Sequence, residues 1–256
     1  SSKVLWSENW QKEWNELASI KGGLAENILK SLKVSTKQGI AKASTSNTEA
    51  YEYYLKGKYK YEKRENMEDM DIARGLLTKA IELDENLLIA KNLLGITYYE
   101  VGDKDRAMEI HLDNLIKAED TGDMVIIGSS LINIGNIKKF TKGGYEIALD
   151  NYTRALEIFK EIGDKYRMVI ALSNIGGIYH SKFDYELALD YYTQALEIAE
   201  ELEYKRLIAD ILNHMAGVYN YKVEYDKALD YKDRALKIHE EIGNKQGIGK
   251  SLSGIG

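Results

Sequence analysis

The 256-residue chain contains no cysteine and no proline, and only three phenylalanines beside nineteen tyrosines. Without cysteine there is no disulfide, no thiolate nucleophile and no Cys-ligated zinc. Proline punctuates most loop-rich and all-β folds, so its absence over this length points to a chain that is nearly all helix. No apolar run approaches the roughly 20 residues of a membrane helix, and the N-terminus lacks the charged, apolar, small-residue order of a signal peptide. A soluble, cytoplasmic protein without a membrane partner is therefore expected. Basic residues are also short: 35 Lys and Arg face 41 Asp and Glu, for a net charge of −6. A protein that grips a phosphate backbone needs the opposite field, so nucleic acid is not an expected partner.

What is present is repetition. Leu131-Ile-Asn-Ile-Gly135, Leu172-Ser-Asn-Ile-Gly176, Leu212-Asn-His-Met-Ala216 and Leu252-Ser-Gly-Ile-Gly256 set their small residue at steps of 41, 40 and 40, with Gly95 another 40 upstream. Ala107, Ala148, Ala188 and Ala228 form a second column, and Ala155, Ala195 and Ala235 a third seven residues later. Helix ends recur at Gly122, Gly163 and Gly243, with Glu203 breaking the set. Features sharing one period of this length signal stacked supersecondary units. Within a unit, Ala188, Tyr191, Tyr192, Ala195 and Ile198 fall on one helical stripe, and Ala171, Asn174, Ile175, Ile178 and Tyr179 fall on another. Each unit thus reads as a helical hairpin whose small residues mark the crossing of its two helices. Neither helix can cover its apolar stripe within the pair. Stacking on a neighbour does so, and the product is a solenoid with a concave face lined by first helices.

The order of a large residue, Leu, Gly, Tyr, Ala, an aromatic and Ala resembles the tetratricopeptide repeat. The step from Ala73 to Ala107 is 34, and the first unit reads Tyr54, Gly57, Tyr61, Ala73, Leu77, Ala80, with Glu85 where that family usually has proline. The resemblance spans roughly residues 49 to 256. It implies an all-α, right-handed superhelix (an α-solenoid) of about five hairpins plus a partial sixth, over a repeat domain at 48–256. The later units look like the long variety in kinesin light chains, spindle-orientation adaptors and bacterial pheromone-sensing regulators.

Residues 1–47 differ. Lys3-Val-Leu-Trp6 is strand-like, Leu17, Ile20, Leu24, Ile28 and Leu32 outline an amphipathic helix, Ser35 to Gln38 fits a capping box, and Asn47 or Thr48 is placed to cap the first repeat. Leu5-Trp-Ser-Glu-Asn9 together with Thr48-Glu-Ala-Tyr-Glu-Tyr-Tyr-Leu-Lys-Gly57 is similar to the junction where a TolB-like domain of bacterial signalling proteins meets a tetratricopeptide array. That resemblance implies an adjacent N-terminal signalling domain, such as a class III nucleotide cyclase or a winged-helix regulator.

Catalytic patterns are scarce. Gly247-Ile-Gly249-Lys250-Ser251 echoes a phosphate loop, but Asn244 stands where the leading glycine belongs. His111, His180, His214 and His239 form neither an HExxH motif nor an i, i+4 pair, so no metal site is expected. Glu157, Glu161, Glu197, Glu200 and Glu201 read as a solvated helix face. No catalytic residue, cofactor or enzymatic activity is expected of this sequence.

The first helices offer a binding face instead. Asn133 and Ile132, Ser173 and Asn174, and Asn213 and His214 lie two and three residues before the crossing glycine or alanine; Asn136, Lys139, His180, Asn220 and Tyr221 lie further along the same face. A carboxamide both donates and accepts, so Asn at a solenoid's pitch can pair with the main chain of an extended peptide. In the similar long-repeat adaptors Asn plays that role, which the resemblance carries to Asn133 and Asn174. The competing use of the same side chains is a hydrogen bond between neighbouring first helices. Two functions follow: capture of a peptide or protein in the groove, or self-association into a homodimer. Tyr179, Tyr191, Tyr192 and Tyr219 are expected to pack between helices, and the longer turn around Lys142-Gly-Gly144 is expected to protrude.

Overall fold

The computed structural model describes residues 45 and 47–252, apart from the side chain of Lys250. The strand, amphipathic helix and capping box expected in residues 1–44, and the final Ser253 to Gly256, lie outside them. The chain divides into two compact units, residues 1–90 and 91–256. Every regular element among the described residues is helical, and the helices pair in sequence order into five hairpins followed by a single helix.

In the first unit α1 (Thr48–Glu62) packs on α2 (Met67–Leu83). Asn47 is the N-cap of α1, as its side chain suits: Oδ1 accepts from the Ala50 amide at 3.0 Å. Its Nδ2 donates to the Leu83 carbonyl at 2.8 Å, so one carboxamide closes the start of α1 and the end of α2. At the crossing, a side chain on Gly57 would lie 2.9 Å from Leu77 Cγ, which is why the position is glycine.

The second unit holds α3 (Leu88–Glu100, from residue 91 on), α4 (Lys104–Thr121), α5 (Met124–Lys138), α6 (Gly144–Glu161), α7 (Lys165–Ser181), α8 (Tyr185–Glu201), α9 (Lys205–Tyr221), α10 (Tyr225–Glu241) and α11 (Lys245–Leu252). From α4 onward each helix packs on the next, and α9 also touches α7 and α11, so neighbouring first helices adjoin. This is the stacked-hairpin α-solenoid of tetratricopeptide repeats, and its core follows the three small-residue columns. Ala107, Ala148, Ala155, Ala188, Ala195 and Ala235 are wholly buried. Tyr152 lies on Gly135, Tyr192 on Gly176 and His111 on Gly95, each ring where a Cβ on the glycine would otherwise go. Tyr179 stacks on Tyr191 at 5.5 Å and Tyr219 on Tyr231 at 5.3 Å between centroids, as interhelical packing requires.

Seven helix ends share one geometry. One or two residues past the helix, the chain enters the left-handed region at Gly102, Gly122, Gly163, Phe183, Glu203, Val223 and Gly243. The next amide then donates back five residues, as in Asp123 to Ala118 and Glu224 to Tyr219, both at 2.9 Å. Glu203 keeps the geometry although it breaks the glycine pattern, and Phe183 and Val223 do the same within their hairpins. Asp103, Asp123, Asp164 and Asp184 then cap the following helices through side-chain oxygens. The longer turn of the third hairpin leaves Phe140 exposed and needs Gly144, whose missing Cβ would sit 1.9 Å from the Lys138 carbonyl oxygen. Gly247 to Ser251, the phosphate-loop echo, lies inside α11, with Gly247 packed on His239.

Two ion pairs join neighbouring hairpins, Lys182 to Glu146 (2.6 Å) and Lys222 to Glu186 (2.5 Å), one repeat apart; Lys165 to Glu201 (2.6 Å) and Lys205 to Glu241 (2.8 Å) recur at the same step within hairpins, from the start of the first helix to the end of the second. Exposed pairs of this kind contribute about 0.2–1 kcal/mol each, so they set register more than they hold the stack.

Candidate functional site on the first-helix face

The predicted site residues all fall on the first helices of the second unit, or at their ends. Asn133 and Asn136 sit on α5 with Lys139 as its C-cap; Ser173, Asn174 and His180 sit on α7; Asn213, His214, Asn220 and Tyr221 sit on α9. Ile132 does not join them. It is 6 % exposed and belongs to the packing, although Ser173 and Asn213 at the same position of the next two hairpins are half-buried.

Asn133 and Asn136 are brought together with residues of the preceding hairpin around a cleft of about 220 Å3, lined by Ile96, Tyr99, Glu100, His111, Asn133 and Asn136. Asn133 Nδ2 donates to Asn92 Oδ1 at 3.0 Å, tying α5 to α3. Asn136 Oδ1 accepts from the Tyr152 hydroxyl at 2.8 Å, and its main-chain carbonyl receives the Tyr99 hydroxyl at 3.4 Å. Each carboxamide is only partly used: the Asn133 oxygen and the Asn136 amide hydrogens have no hydrogen-bond partner among the described residues, and both residues line the cleft.

His111 forms a wall of the same cleft and is wholly buried, and neither ring nitrogen has a hydrogen-bond partner. Burial without a counter-charge pushes its pKa down to about 4, so the ring is neutral at physiological pH and carries one donor and one acceptor. The sequence reading passed over His111, Asn92 and Tyr99. A signal existed for the first: counting back from Tyr192 and Tyr152, the next position in the column is His111.

Farther along, the side chains of Ser173 and Asn174 are half-buried and that of Asn220 is exposed, and none has a hydrogen-bond partner among the described residues. His180 and Tyr221 meet edge to face at 5.1 Å, bridging α7 and α9, and Tyr185 joins them 6.1 Å from His180. Burial lowers the His180 pKa. Asn213 is absorbed by packing: Oδ1 accepts from the Ser251 hydroxyl at 3.1 Å and Nδ2 faces His239 at 3.3 Å. His214, in the third Asn position, leans on Tyr192 at 5.4 Å. Lys139 lies against Phe140, 5.1 Å from its centroid, and burial lowers its pKa. The face carries the interhelical use foreseen for its polar residues at Asn133, Asn136 and Asn213, whereas the side chains of Ser173, Asn174 and Asn220 make no hydrogen bond among the described residues.

No group of three or more His, Asp or Glu among the described residues could hold a metal ion, and none of their helices is long and apolar enough to cross a membrane.

Residues 127–201, spanning α5 to α8, match the tetratricopeptide repeat family. No protein of curated function matches the chain. Similar solved structures include a signal transduction ATPase with numerous domains carrying a tetratricopeptide repeat sensor, from Pyrococcus horikoshii, at 22 % identity over 79 % of this chain and 31 % of that one, TM-score 0.65. A Rap protein complexed with Competence and Sporulation Factor is similar at 21 % identity over 84 % of this chain and 60 % of that one, TM-score 0.70. BtubC from P. vanneervenii is similar at 21 % identity over 82 % and 92 %, TM-score 0.57. The chain therefore spans about a third and three fifths of the first two. At these identities the likeness establishes the fold alone, a tetratricopeptide-repeat α-solenoid.

Proposed function

We propose that the chain is a non-catalytic binding scaffold that captures an extended peptide, or an extended segment of a protein, on its first-helix face. The observation that carries this reading is the set of half-used and unused amide groups along α5 and α7. Asn133 and Asn136 line a cleft with hydrogen-bonding capacity to spare, and the Asn174 side chain has no hydrogen-bond partner among the described residues although it is half-buried. Polar side chains held in place but unsatisfied suit a ligand whose main chain donates and accepts in alternation.

The scaffold would serve as the sensing module of a larger bacterial, cytoplasmic signalling protein, with a nucleotide cyclase or winged-helix domain attached on its N-terminal side. Two things support this. One is the junction-like sequence of Leu5 to Asn9 and Thr48 to Gly57; the other is the similarity to a tetratricopeptide repeat sensor inside a longer signalling ATPase. Small rotations between stacked hairpins would carry ligand occupancy to that domain.

The test is selection of a displayed random-dodecapeptide library on the chain, followed by titration of selected peptides into Asn133→Ala/Asn174→Ala. Retention by the wild type and at least tenfold weaker binding by the double variant are expected. Equal affinity would remove the proposal.

Self-association is the second reading, favoured by large apolar side chains on the hairpin turns. Phe183 is 71 %, Val223 65 % and Tyr225 62 % exposed, on successive hairpins. Light scattering over a dilution series distinguishes a homodimer from a monomer.

A further inference from the structure

The turn edge of the third, fourth and fifth hairpins carries large apolar side chains in a repeating order. Tyr145, Tyr185 and Tyr225 stand at or beside the start of α6, α8 and α10 at steps of 40, and Phe183 and Val223 precede the last two where the third hairpin has Gly143. The rings of neighbouring hairpins meet: Tyr221 lies 6.4 Å from Tyr185, and Phe183 stands edge-on to Tyr185 at 6.4 Å. Gly143, Phe183 and Val223 all have positive φ, at 71°, 63° and 63°. Glycine suits that backbone, and an L side chain there is strained. Phe183 and Val223 are nevertheless 71 % and 65 % exposed, the highest values for large hydrophobic side chains among the described residues, so packing within the chain does not hold them there. Strain kept at a surface without a return from the core points to a use of that surface.

Area and charge identify what covers it. Phe140, Tyr221 and Tyr225 are exposed to a similar degree along the same edge. At roughly 150–250 Å2 for each aromatic side chain, the exposed part of the ridge is on the order of 700 Å2, above the largest patch of a typical monomer and close to the ~800 Å2 that each partner gives to a standard interface. Beside the ridge, Lys142, Lys182 and Lys222 form one column and Glu146, Glu186 and Asp226 another. Lys182 is taken by Glu146 at 2.6 Å and Lys222 by Glu186 at 2.5 Å. Lys142 on the third hairpin and Asp226 on the fifth are exposed and make no ion pair among the described residues. The edge therefore carries a spare cation on one side of the fourth hairpin and a spare anion on the other. A partner of one charge sign would suit one of them and oppose the other. A second copy laid antiparallel, with the two-fold axis at the fourth hairpin, sets each Lys142 against the Asp226 of its mate, the self-complementarity that a two-fold interface requires.

We propose that the turn edge of the third to fifth hairpins is a homodimer interface, in which two copies pack antiparallel through Phe183, Tyr185 and Val223 and pair Lys142 with Asp226 at both ends. The inference rests on the self-association reading above and adds the surface and the symmetry to it. Phe183 and Val223 then serve the partner, which is why glycine does not stand at their left-handed positions.

The experiment is sedimentation equilibrium of the whole chain from roughly 1 µM to 1 mM, the span over which a weak dimer dissociates. Monomer at the low end and dimer at the high end are expected. Phe183→Gly/Val223→Gly should keep its helical circular dichroism, since glycine suits both backbones, and weaken the dimer at least tenfold. Lys142→Asp and Asp226→Lys should each weaken it about fivefold or more by setting like charges together at both ends, and the double variant, with opposite signs restored, should return to within about twofold of the wild type. A monomer at every concentration removes self-association and this interface together. A dimer that the glycine variant leaves intact keeps self-association and overturns the interface. A double charge variant that stays as weak as the singles, or weaker, overturns the antiparallel pairing.

Discussion

Asn133 donates its side-chain amide to the carboxamide oxygen of Asn92 at 3.0 Å, joining α5 to α3 across 41 residues of sequence. The bond leaves the Asn133 oxygen without a hydrogen bond among the described residues, and Asn133 lines the cleft, so one residue both couples two hairpins and serves the proposed site. Removing either partner is expected to cost about 1 kcal/mol, the usual worth of a part-buried neutral hydrogen bond. A double-mutant cycle of Asn92→Ala and Asn133→Ala in urea should return a coupling of that size. Purely additive losses would mean that the bond does not form in solution.

Acid should weaken the second unit through His111. Its folded pKa of about 4 lies below the ordinary value of 6.5, so between those limits the unfolded chain binds a proton that the folded chain refuses. The sign is therefore loss of stability as pH falls from 6.5 toward 4, reaching about 3 kcal/mol at the lower end, with none of it present above pH 7. Urea denaturation of the wild type and of His111→Tyr across that range checks it. The difference between the two should grow as pH falls, and a constant difference would place the imidazole in contact with water.

Three left-handed residues, Phe183, Glu203 and Val223, are not glycine. Phe183 (φ 63°) and Val223 (φ 63°) hold the conformation that Gly102, Gly122, Gly163 and Gly243 hold elsewhere in the chain. An L side chain there costs about 1 kcal/mol or more, and a β-branched one fits worst. Val223→Gly should raise stability by about 1 kcal/mol and Phe183→Gly by a little less, offset in part by the greater freedom of glycine in the unfolded chain. Thermal melts check this, and a fall in Tm for Val223→Gly would contradict it.

The third hairpin turn has no room to spare. A Cβ on Gly144 would lie 1.9 Å from the Lys138 carbonyl oxygen, a backbone atom that cannot swing away. Gly144→Ala should cost about 2 kcal/mol, in the range of other overpacking substitutions. Gly249→Ala, in α11 with nothing near the added carbon, makes the comparison: its Tm should hold or rise, since alanine suits a helix interior better than glycine.

The repeat was legible because side-chain size at a helix crossing is a property of single residues. Gly135, Gly176 and the buried Ala148, Ala188, Ala155 and Ala195 stand in columns wherever two helices approach, and the structure keeps those columns. Asn47 was legible as a cap for a similar local reason. The turns at Phe183 and Val223 were not, since neither residue advertises a left-handed backbone. The Asn92 to Asn133 bond was hidden because it depends on the stagger of one hairpin against the next, and the two residues hold different positions relative to Gly95 and Gly135. Ile132 is placed on the face by counting alone, and its burial shows that an apolar side chain at that position turns into the packing where Ser173 stays half-buried. His111 could have been found by reading up the Tyr192 and Tyr152 column and asking what a shorter ring leaves behind.

The central claim is that ligand lies along the first helices, not on the hairpin turns. Amide hydrogen exchange of the chain with and without a peptide selected from the displayed library tests it most directly. Protection is predicted in α5 and α7, around Asn133, Asn136 and Asn174, with residues 183–185 and 223–225 exchanging as before. Protection confined to those turns, with α5 and α7 unchanged, would contradict the account.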